Sequence, residues 1–220
     1  MKINAVIFDM DGVLFDSETI AKKTMREAFH LHNLEVDDEF YASLIGITTN
    51  VCRQMVAERV GSVELMETIY DEWDEFVKEE YENKNMPFKK GAPEIITWLK
   101  EINFPIAMAT SNDPENIYRH FNANDWEVPF DKIVNGGMIT HSKPHPEVFL
   151  KAAELLNIDI KECLIVEDSY YGVQAAAASG GICVMVPDLV QPNDEIKSLT
   201  TFIKKDLFEV MDLIKQYANL

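Results

Sequence analysis

Short apolar runs alternate with longer amphipathic stretches over much of this chain. Runs at residues 5–8, 106–110, 133–134, 163–166 and 182–186 are rich in β-branched residues, and each predicts a buried strand. Between and after them, the periodicity predicts helices over residues 93–102, 114–121, 147–157, 172–179 and 206–217. Strands that alternate with helices indicate a parallel sheet covered on both faces, so the predicted fold class is α/β with a Rossmann-like core.

Residues 17–86 contain no strand signal. Amphipathic patterns there predict helices over residues 17–32, 37–45, 50–60 and 62–83, and the exposed face of the last is rich in Asp and Glu. We therefore expect an α/β core made of residues 1–16 and 88–220, interrupted by an all-helical cap of residues 17–87.

Composition narrows the classes of function. The 220 residues are 47% hydrophobic and 26% charged, which is typical of a globular protein, and the net charge is −18. Such acidity argues against binding to nucleic acid or to an anionic membrane surface. Without an apolar run of membrane-spanning length or a leader-like N-terminus, we expect a cytoplasmic protein, and the three widely spaced cysteines fit reduced thiols there.

Two aspartates, Asp9 and Asp11, follow the first predicted strand and precede Gly12. The carboxyl end of a strand is where open α/β sheets bind ligands, and carboxylates this close need a cation or a shared proton between them. A hairpin turn at Asp-Gly is the plainer alternative. A calcium loop is excluded, because its glycine would stand at the sixth position and Gly12 stands at the fourth.

Later strand ends carry groups suited to a phosphate. Thr110, Ser111 and Asn112 follow a strand and precede a helix, where hydroxyl and backbone N–H groups bind anions, although Asn112 or Asp113 could simply cap that helix. Lys143 stands in a proline-rich loop that would restrict its position, although an isolated loop lysine is usually solvated.

A second acidic pair, Glu167 and Asp168, ends the strand at residues 163–166. If this strand and the first are neighbours, Asp9, Asp11, Glu167 and Asp168 would converge. A site built only of oxygen ligands favours Mg²⁺ over a transition metal. None of the five histidines is singled out by its spacing.

Together these segments resemble the four motifs of the haloacid dehalogenase superfamily of phosphotransferases, in the same order and over essentially the whole chain. The resemblance implies that Asp9 is the nucleophile and Asp11 the general acid and base. It further implies that Thr110 and Lys143 hold the phosphoryl group, with Ser111 and Asn112 beside them. The implied Mg²⁺ ligands are the Asp9 carboxylate, the Asp11 backbone carbonyl and Asp168, with Glu167 as a direct or indirect partner.

The helical block resembles the cap of the β-phosphoglucomutase-like branch, which would close over the substrate. Dehalogenases of the superfamily lack the second aspartate, so Asp11 disfavours dehalogenation. The mutases carry basic residues in the segment that corresponds to residues 44–50, which has no Lys or Arg here, and a histidine where this chain has Ala21.

We therefore expect a monomeric, Mg²⁺-dependent phosphatase acting on a small phosphorylated metabolite. The alternatives are a sugar-phosphate mutase and, in another class, a non-catalytic phosphoacceptor or binding module.

Overall fold

The computed structural model describes residues 1–44 and 49–218, and it divides into two compact units. The larger unit comprises Met1–Asp16 and Pro87–Leu220, and the smaller comprises Ser17–Met86. Across the described ranges, no helix is both long and apolar enough to cross a membrane.

The larger unit is built on one parallel sheet of six strands. Their spatial order is β3-β2-β1-β4-β5-β6, so β1 lies inside the sheet between β2 and β4. The central strands are fully buried, which explains why they are continuous apolar runs rather than alternating ones. This architecture confirms the predicted fold class. The strands are β1 Ala5–Phe8, β2 Ile106–Ala109, β3 Lys132–Val134, β4 Cys163–Glu167, β5 Ile182–Met185 and β6 Phe202–Ile203.

The described residues of the smaller unit form helices and the loops that connect them. Its buried side chains come from all four helices and form one apolar cluster, which includes Phe29, Tyr41, Val56 and Ile69. The indole N–H of Trp73 donates to the Thr24 hydroxyl (3.0 Å), so these two polar groups satisfy each other beside the cluster. The helices are α1 Ser17–Leu31, α2 Asp38–Leu44, α3 Thr49–Val60 and α4 Val63–Glu82.

The described residues of the larger unit form six further α-helices. The last two strands are separated by α9, and neither α9 nor β6 was predicted, because six and two residues are too short to show a period. The predicted helix boundaries differ from the observed ones by one residue in most cases, and the largest difference is at the start of α8. This helix begins before Gly172, because the Ser169 hydroxyl accepts from the Gly172 N–H (3.1 Å) and caps the helix there. The helices are α5 Ala92–Glu101, α6 Pro114–Asn122, α7 Glu147–Leu156, α8 Tyr170–Ser179, α9 Asp194–Leu199 and α10 Leu207–Tyr217.

The chain leaves and re-enters the larger unit through two segments that lie side by side. The Asp16 N–H donates to the Pro87 carbonyl (2.8 Å), and the Lys89 N–H donates to the Leu14 carbonyl (2.9 Å). The Lys89 ammonium also lies 2.6 Å from Asp188 Oδ1 and 3.6 Å from Asp16 Oδ1. Two backbone hydrogen bonds and the ion pairs of Lys89 therefore hold the outgoing and the returning segment together.

Candidate active site

Strand register brings the two acidic pairs together. Phe8 of β1 pairs with Val166 of β4, so the residues that follow them, Asp9 and Glu167, emerge at the same edge of the sheet. The Asp9 N–H continues the ladder by donating to the Val166 carbonyl (3.0 Å). The condition on which the predicted convergence depended, that the two strands are neighbours, is therefore met.

Gly12 allows the loop after β1 to pass close to Asp168. Its φ is +70°, which favours glycine, and a Cβ atom there would lie 2.2 Å from Asp168 Oδ2. The same loop turns back at once, since the Gly12 N–H donates to the Phe15 carbonyl (2.9 Å). A side chain at this position would displace Asp168 from the site.

Glu167 is fully buried and organises the loop after β4. Its Oε2 accepts from the Asp168 N–H (2.9 Å), from the Ser169 N–H (3.1 Å) and from the Ser169 hydroxyl (3.0 Å). Its Oε1 accepts from the Lys143 ammonium (2.6 Å). Both carboxylate oxygens are therefore engaged within the protein.

Lys143 connects the acids of the two strands. Its Nζ lies 2.7 Å from Asp9 Oδ1 and 2.6 Å from Glu167 Oε1, and its side chain is only 10% exposed. Burial lowers the pKa of Lys143, but the charges of Asp9 and Glu167 outweigh burial, and the net shift is upward. The loop that carries it, which contains a cis peptide bond between Lys143 and Pro144, thus delivers a permanent positive charge to the nucleophile candidate.

Thr110 and Asn112 line the site from β2. Thr110 is buried, and its hydroxyl accepts from the Asn112 backbone and side-chain N–H groups (3.1 Å each). The Asn112 side chain also donates to Asp11 Oδ2. Asp113, the other of the two possible caps, caps α6 by accepting from the Asn116 N–H (2.8 Å). Ser111 is exposed, and its side chain makes none of these contacts.

The raised pKa values of the acidic side chains indicate that the site needs a cation to balance their charge. Burial, together with the charges of Glu167 and Asp11, raises the pKa of Asp9 to about 7 against the opposing charge of Lys143. Burial also raises the pKa of Asp168 well above its ordinary range, with further contributions from Glu167, Asp9 and Asp188. Carboxylate oxygens of Asp9, Glu167 and Asp168 all lie within 4.8 Å of one another. This all-oxygen donor set fits a hard divalent cation such as Mg²⁺.

His120 belongs to this site, and sequence reasoning missed it. It is buried on α6, and its Nε2 lies 3.3 Å from Asp11 Oδ1. More than one hundred residues separate the two along the chain, and His120 forms no metal-like spacing with another residue. The contact arises from the packing of α6 against the loop after β1, which no local pattern reveals.

A second group of titratable side chains, made of His141, His145 and Glu147, surrounds the start of α7. The Glu147 carboxylate accepts from the Thr140 N–H (2.8 Å) and the His141 N–H (2.9 Å), and these bonds lower its pKa to about 2. His145 Nδ1 accepts from the Glu147 N–H (3.3 Å). The Glu147 carboxylate and His145 Nδ1 therefore shape the Lys143 loop and the start of the helix.

Comparison with known proteins agrees with this geometry. Residues 6–186 match the family described as haloacid dehalogenase-like hydrolase. A phosphorylated carbohydrates phosphatase of Thermotoga maritima is 31% identical over 81% of this chain and 82% of its own length. Hexitol phosphatase B of Escherichia coli is 26% identical over 94% of this chain and 97% of its own.

Among solved structures, β-phosphoglucomutase of Clostridium difficile superposes with a TM-score of 0.74, at 23% identity over 98% of this chain and 96% of its own. At that identity the superposition supports the fold alone. The family match confirms the resemblance inferred from the four motifs.

Proposed function

We propose that this chain, which belongs to the haloacid dehalogenase-like hydrolase family, is a Mg²⁺-dependent phosphatase that hydrolyses a small phosphorylated carbohydrate. The observation that carries the proposal is the position of Lys143, whose Nζ lies 2.7 Å from Asp9 Oδ1 and 2.6 Å from Glu167 Oε1. A buried carboxylate next to a fixed cation is arranged to meet a dianionic phosphoryl group. The carbohydrate class is supported by the names of the relatives.

In the first half of the reaction, an Asp9 carboxylate oxygen attacks phosphorus and the bond from phosphorus to the substrate oxygen breaks. Asp11, in its acid form, gives its proton to that departing oxygen, so an alcohol leaves and an aspartyl-phosphate remains on Asp9. Lys143 and the Thr110 hydroxyl hold the phosphoryl oxygens during this transfer, which lowers the cost of the charge that moves.

In the second half, water attacks the same phosphorus while the Asp11 carboxylate takes a proton from it. The bond between phosphorus and the Asp9 oxygen breaks, and inorganic phosphate leaves. Asp9 is returned as a carboxylate and Asp11 as an acid. Both transfers need the Asp11 carboxyl group near the apical oxygen, and its side chain is 33% exposed, so solvent and substrate can reach it.

The proposed metal ligands are the Asp9 and Asp168 carboxylates and the Asp11 backbone carbonyl. When bound, Mg²⁺ neutralises charge among these acids and on the phosphoryl group. Glu167 acts indirectly in this proposal, because both of its oxygens already accept hydrogen bonds from Lys143 and from the loop that carries Asp168. Its part is to fix the positions of those two residues.

The proposal includes a monomeric protein in the cytoplasm. The three cysteines are free, which fits a reducing compartment. The segment that separates phosphatases from mutases, residues 44–50, has no basic residue, which supports a phosphatase; residues 45–48 of it lie outside the described part of the chain.

A panel of phosphorylated sugars, hexitols and other metabolites tests this function through phosphate release, with Mg²⁺ and with EDTA. Asp9→Asn should abolish release, and Asp212→Asn, an exposed and isosteric control, should leave it unchanged. β-Glucose 1-phosphate is included with an isomer readout. Isomerisation faster than release would establish the mutase instead, and phosphate binding without turnover of any substrate would establish a binding module.

A further inference from the structure

The tautomer of His120 is set by the helix on which it lies. Its Nδ1 is 2.8 Å from the Asn116 carbonyl, one turn earlier in α6. A carbonyl oxygen can only accept, so Nδ1 carries the hydrogen of that bond. The ring also packs against Phe15, with the two centroids 5.2 Å apart. Because its backbone bond and its aromatic neighbour both fix the ring, His120 presents Nε2 in one direction.

That direction is toward Asp11. Nε2 lies 3.3 Å from Asp11 Oδ1, and the Asn112 side chain donates to the other oxygen, Oδ2. Both contacts come from the segment that follows β2, whereas Asp11 follows β1. The carboxyl group is thus hydrogen-bonded at Oδ2 by the Asn112 amide and contacted at Oδ1 by His120, both from a neighbouring part of the sheet edge. A short acidic side chain held at two points has little freedom to rotate about χ2.

We propose that His120 is a positioning residue for Asp11, which orients the Asp11 carboxyl group toward the oxygen of the departing alcohol and later toward water. The inference rests on the proposed function, since it assigns a means of orientation to the acid and base of that reaction. His120 touches no substrate in this proposal and acts only through Asp11. Proton transfer is sensitive to such orientation, and a displacement of about 1 Å can cost about 100-fold in rate.

The test compares two substrates that differ in whether the leaving group must be protonated as it departs. p-Nitrophenolate departs without protonation, whereas the alkoxide of a sugar phosphate does not. The ratio kcat/KM reports only the steps up to the first irreversible one, here the transfer to Asp9, so it isolates leaving-group departure from hydrolysis of the intermediate. Four variants are compared: His120→Phe, His120→Gln, Asp11→Asn and the double variant His120→Phe with Asp11→Asn.

We expect His120→Phe to lower kcat/KM for the best sugar phosphate by about 10- to 100-fold and for p-nitrophenyl phosphate by less than about 3-fold. The loss should appear in kcat, with KM little changed. His120→Gln retains an amide that can reach Asp11 and should recover most of the rate. Tyr118→Phe, on the exposed side of the same helix, should behave as wild type.

The double variant distinguishes action through Asp11 from any other role. If His120 acts only through Asp11, adding His120→Phe to Asp11→Asn causes no further loss in kcat/KM. Additive losses, or an equal loss on both substrates together with a lowered Tm, would show a structural role for His120 and overturn the inference. Full activity of His120→Phe on the sugar phosphate would overturn it as well.

A spectroscopic measurement covers the case in which His120→Phe does not fold. In the wild type and in Asp11→Asn, nitrogen NMR of the imidazoles should show a hydrogen on His120 Nδ1 in both, and a His120 Nε2 resonance that shifts between them. An unchanged Nε2 resonance would overturn the inference. A wild type without phosphatase activity, or an Asp9→Asn protein with full turnover, would instead overturn the proposed function, and the inference with it.

Discussion

Gly172 leaves the space that the Glu167 carboxylate occupies. A Cβ atom on Gly172 would lie 1.9 Å from the carboxyl carbon and from Oε1 of Glu167. The buried acid therefore rests against the first turn of α8, where it holds Lys143 and the loop that carries Asp168. Only glycine at this position of α8 leaves room for the buried Glu167 carboxylate.

Gly172→Ala should cost stability and activity together, although alanine favours a helix. The added methyl group must push Glu167 out of place, and we expect a loss of about 1–3 kcal/mol in the free energy of unfolding, with a marked loss of turnover. Urea unfolding and phosphate release measure the two effects. Gly180→Ala is the control, because nothing lies within 4 Å of a Cβ atom there; its positive φ costs some stability but should leave kcat unchanged.

Lys143→Met should destabilise the protein by about 3–5 kcal/mol as well as inactivate it, since it leaves the buried carboxylates of Asp9 and Glu167 without their cation. Methionine has nearly the same length, so packing is largely retained. Chemical denaturation in EDTA gives the free energy of unfolding. Lys161→Met, which replaces an exposed lysine, should change neither property. A Lys143→Met protein as stable as wild type would show that the buried charges are relieved by solvent.

Asp9→Asn should stabilise the metal-free protein at neutral pH and not in acid. Burial raises the pKa of Asp9 to about 7, from 3.8 for an ordinary aspartate. A raised pKa means that the folded state holds the proton more tightly, so its stabilising contribution is present below the ordinary pKa and is lost as pH rises through about 7.

Urea unfolding of both proteins in EDTA, between about pH 4 and about pH 8, measures this effect. The stability difference in favour of Asp9→Asn should grow with pH to a few kcal/mol and level off above about pH 7. A difference that does not vary with pH would contradict the prediction. Saturating Mg²⁺ should stabilise wild type by RT ln(1 + [Mg²⁺]/Kd) and so reduce the difference.

Only Cys52 should react readily with a thiol reagent in the native protein. Burial raises the pKa of Cys163 and of Cys183 to about 12, and both side chains are inaccessible, whereas Cys52 is half-buried. The thiolate is the reactive form, so the two buried groups are protected twice over. Mass spectrometry after brief labelling should find one modified thiol, and three after denaturation. Rapid labelling of Cys163 or Cys183 would indicate local opening of the sheet.

The alternation of strands and helices was sufficient to predict the parallel sheet, but not the order of its strands. The predicted convergence of Asp9 and Glu167 depended on β1 and β4 being neighbours, and the pairing of Phe8 with Val166 shows that they are. Strand order follows from tertiary packing, so the sequence could state this relationship only as a condition.

Contacts within the site were harder to predict than the identities of its residues. The sequence allows either Asn112 or Asp113 to cap α6, and the structure shows that Asp113 caps it while Asn112 donates to Asp11. No sequence pattern marks His120 as a residue of the site, because one buried histidine on an amphipathic helix is consistent with ordinary core packing. Side-chain partners that lie far apart in sequence leave no periodic trace.

The chain leaves the α/β unit and returns to it at neighbouring points of the backbone. There Asp16 is hydrogen-bonded to Pro87, and Lys89 to Leu14. Because the chain departs and returns at adjacent points, an insertion there does not reorder the strands of the sheet. The inserted segment can therefore be replaced as a unit, by mutation or by design, while the fold of the α/β unit is kept. The helical segment can then change while the ends of β1 and β4, which carry Asp9 and Glu167, stay as they are.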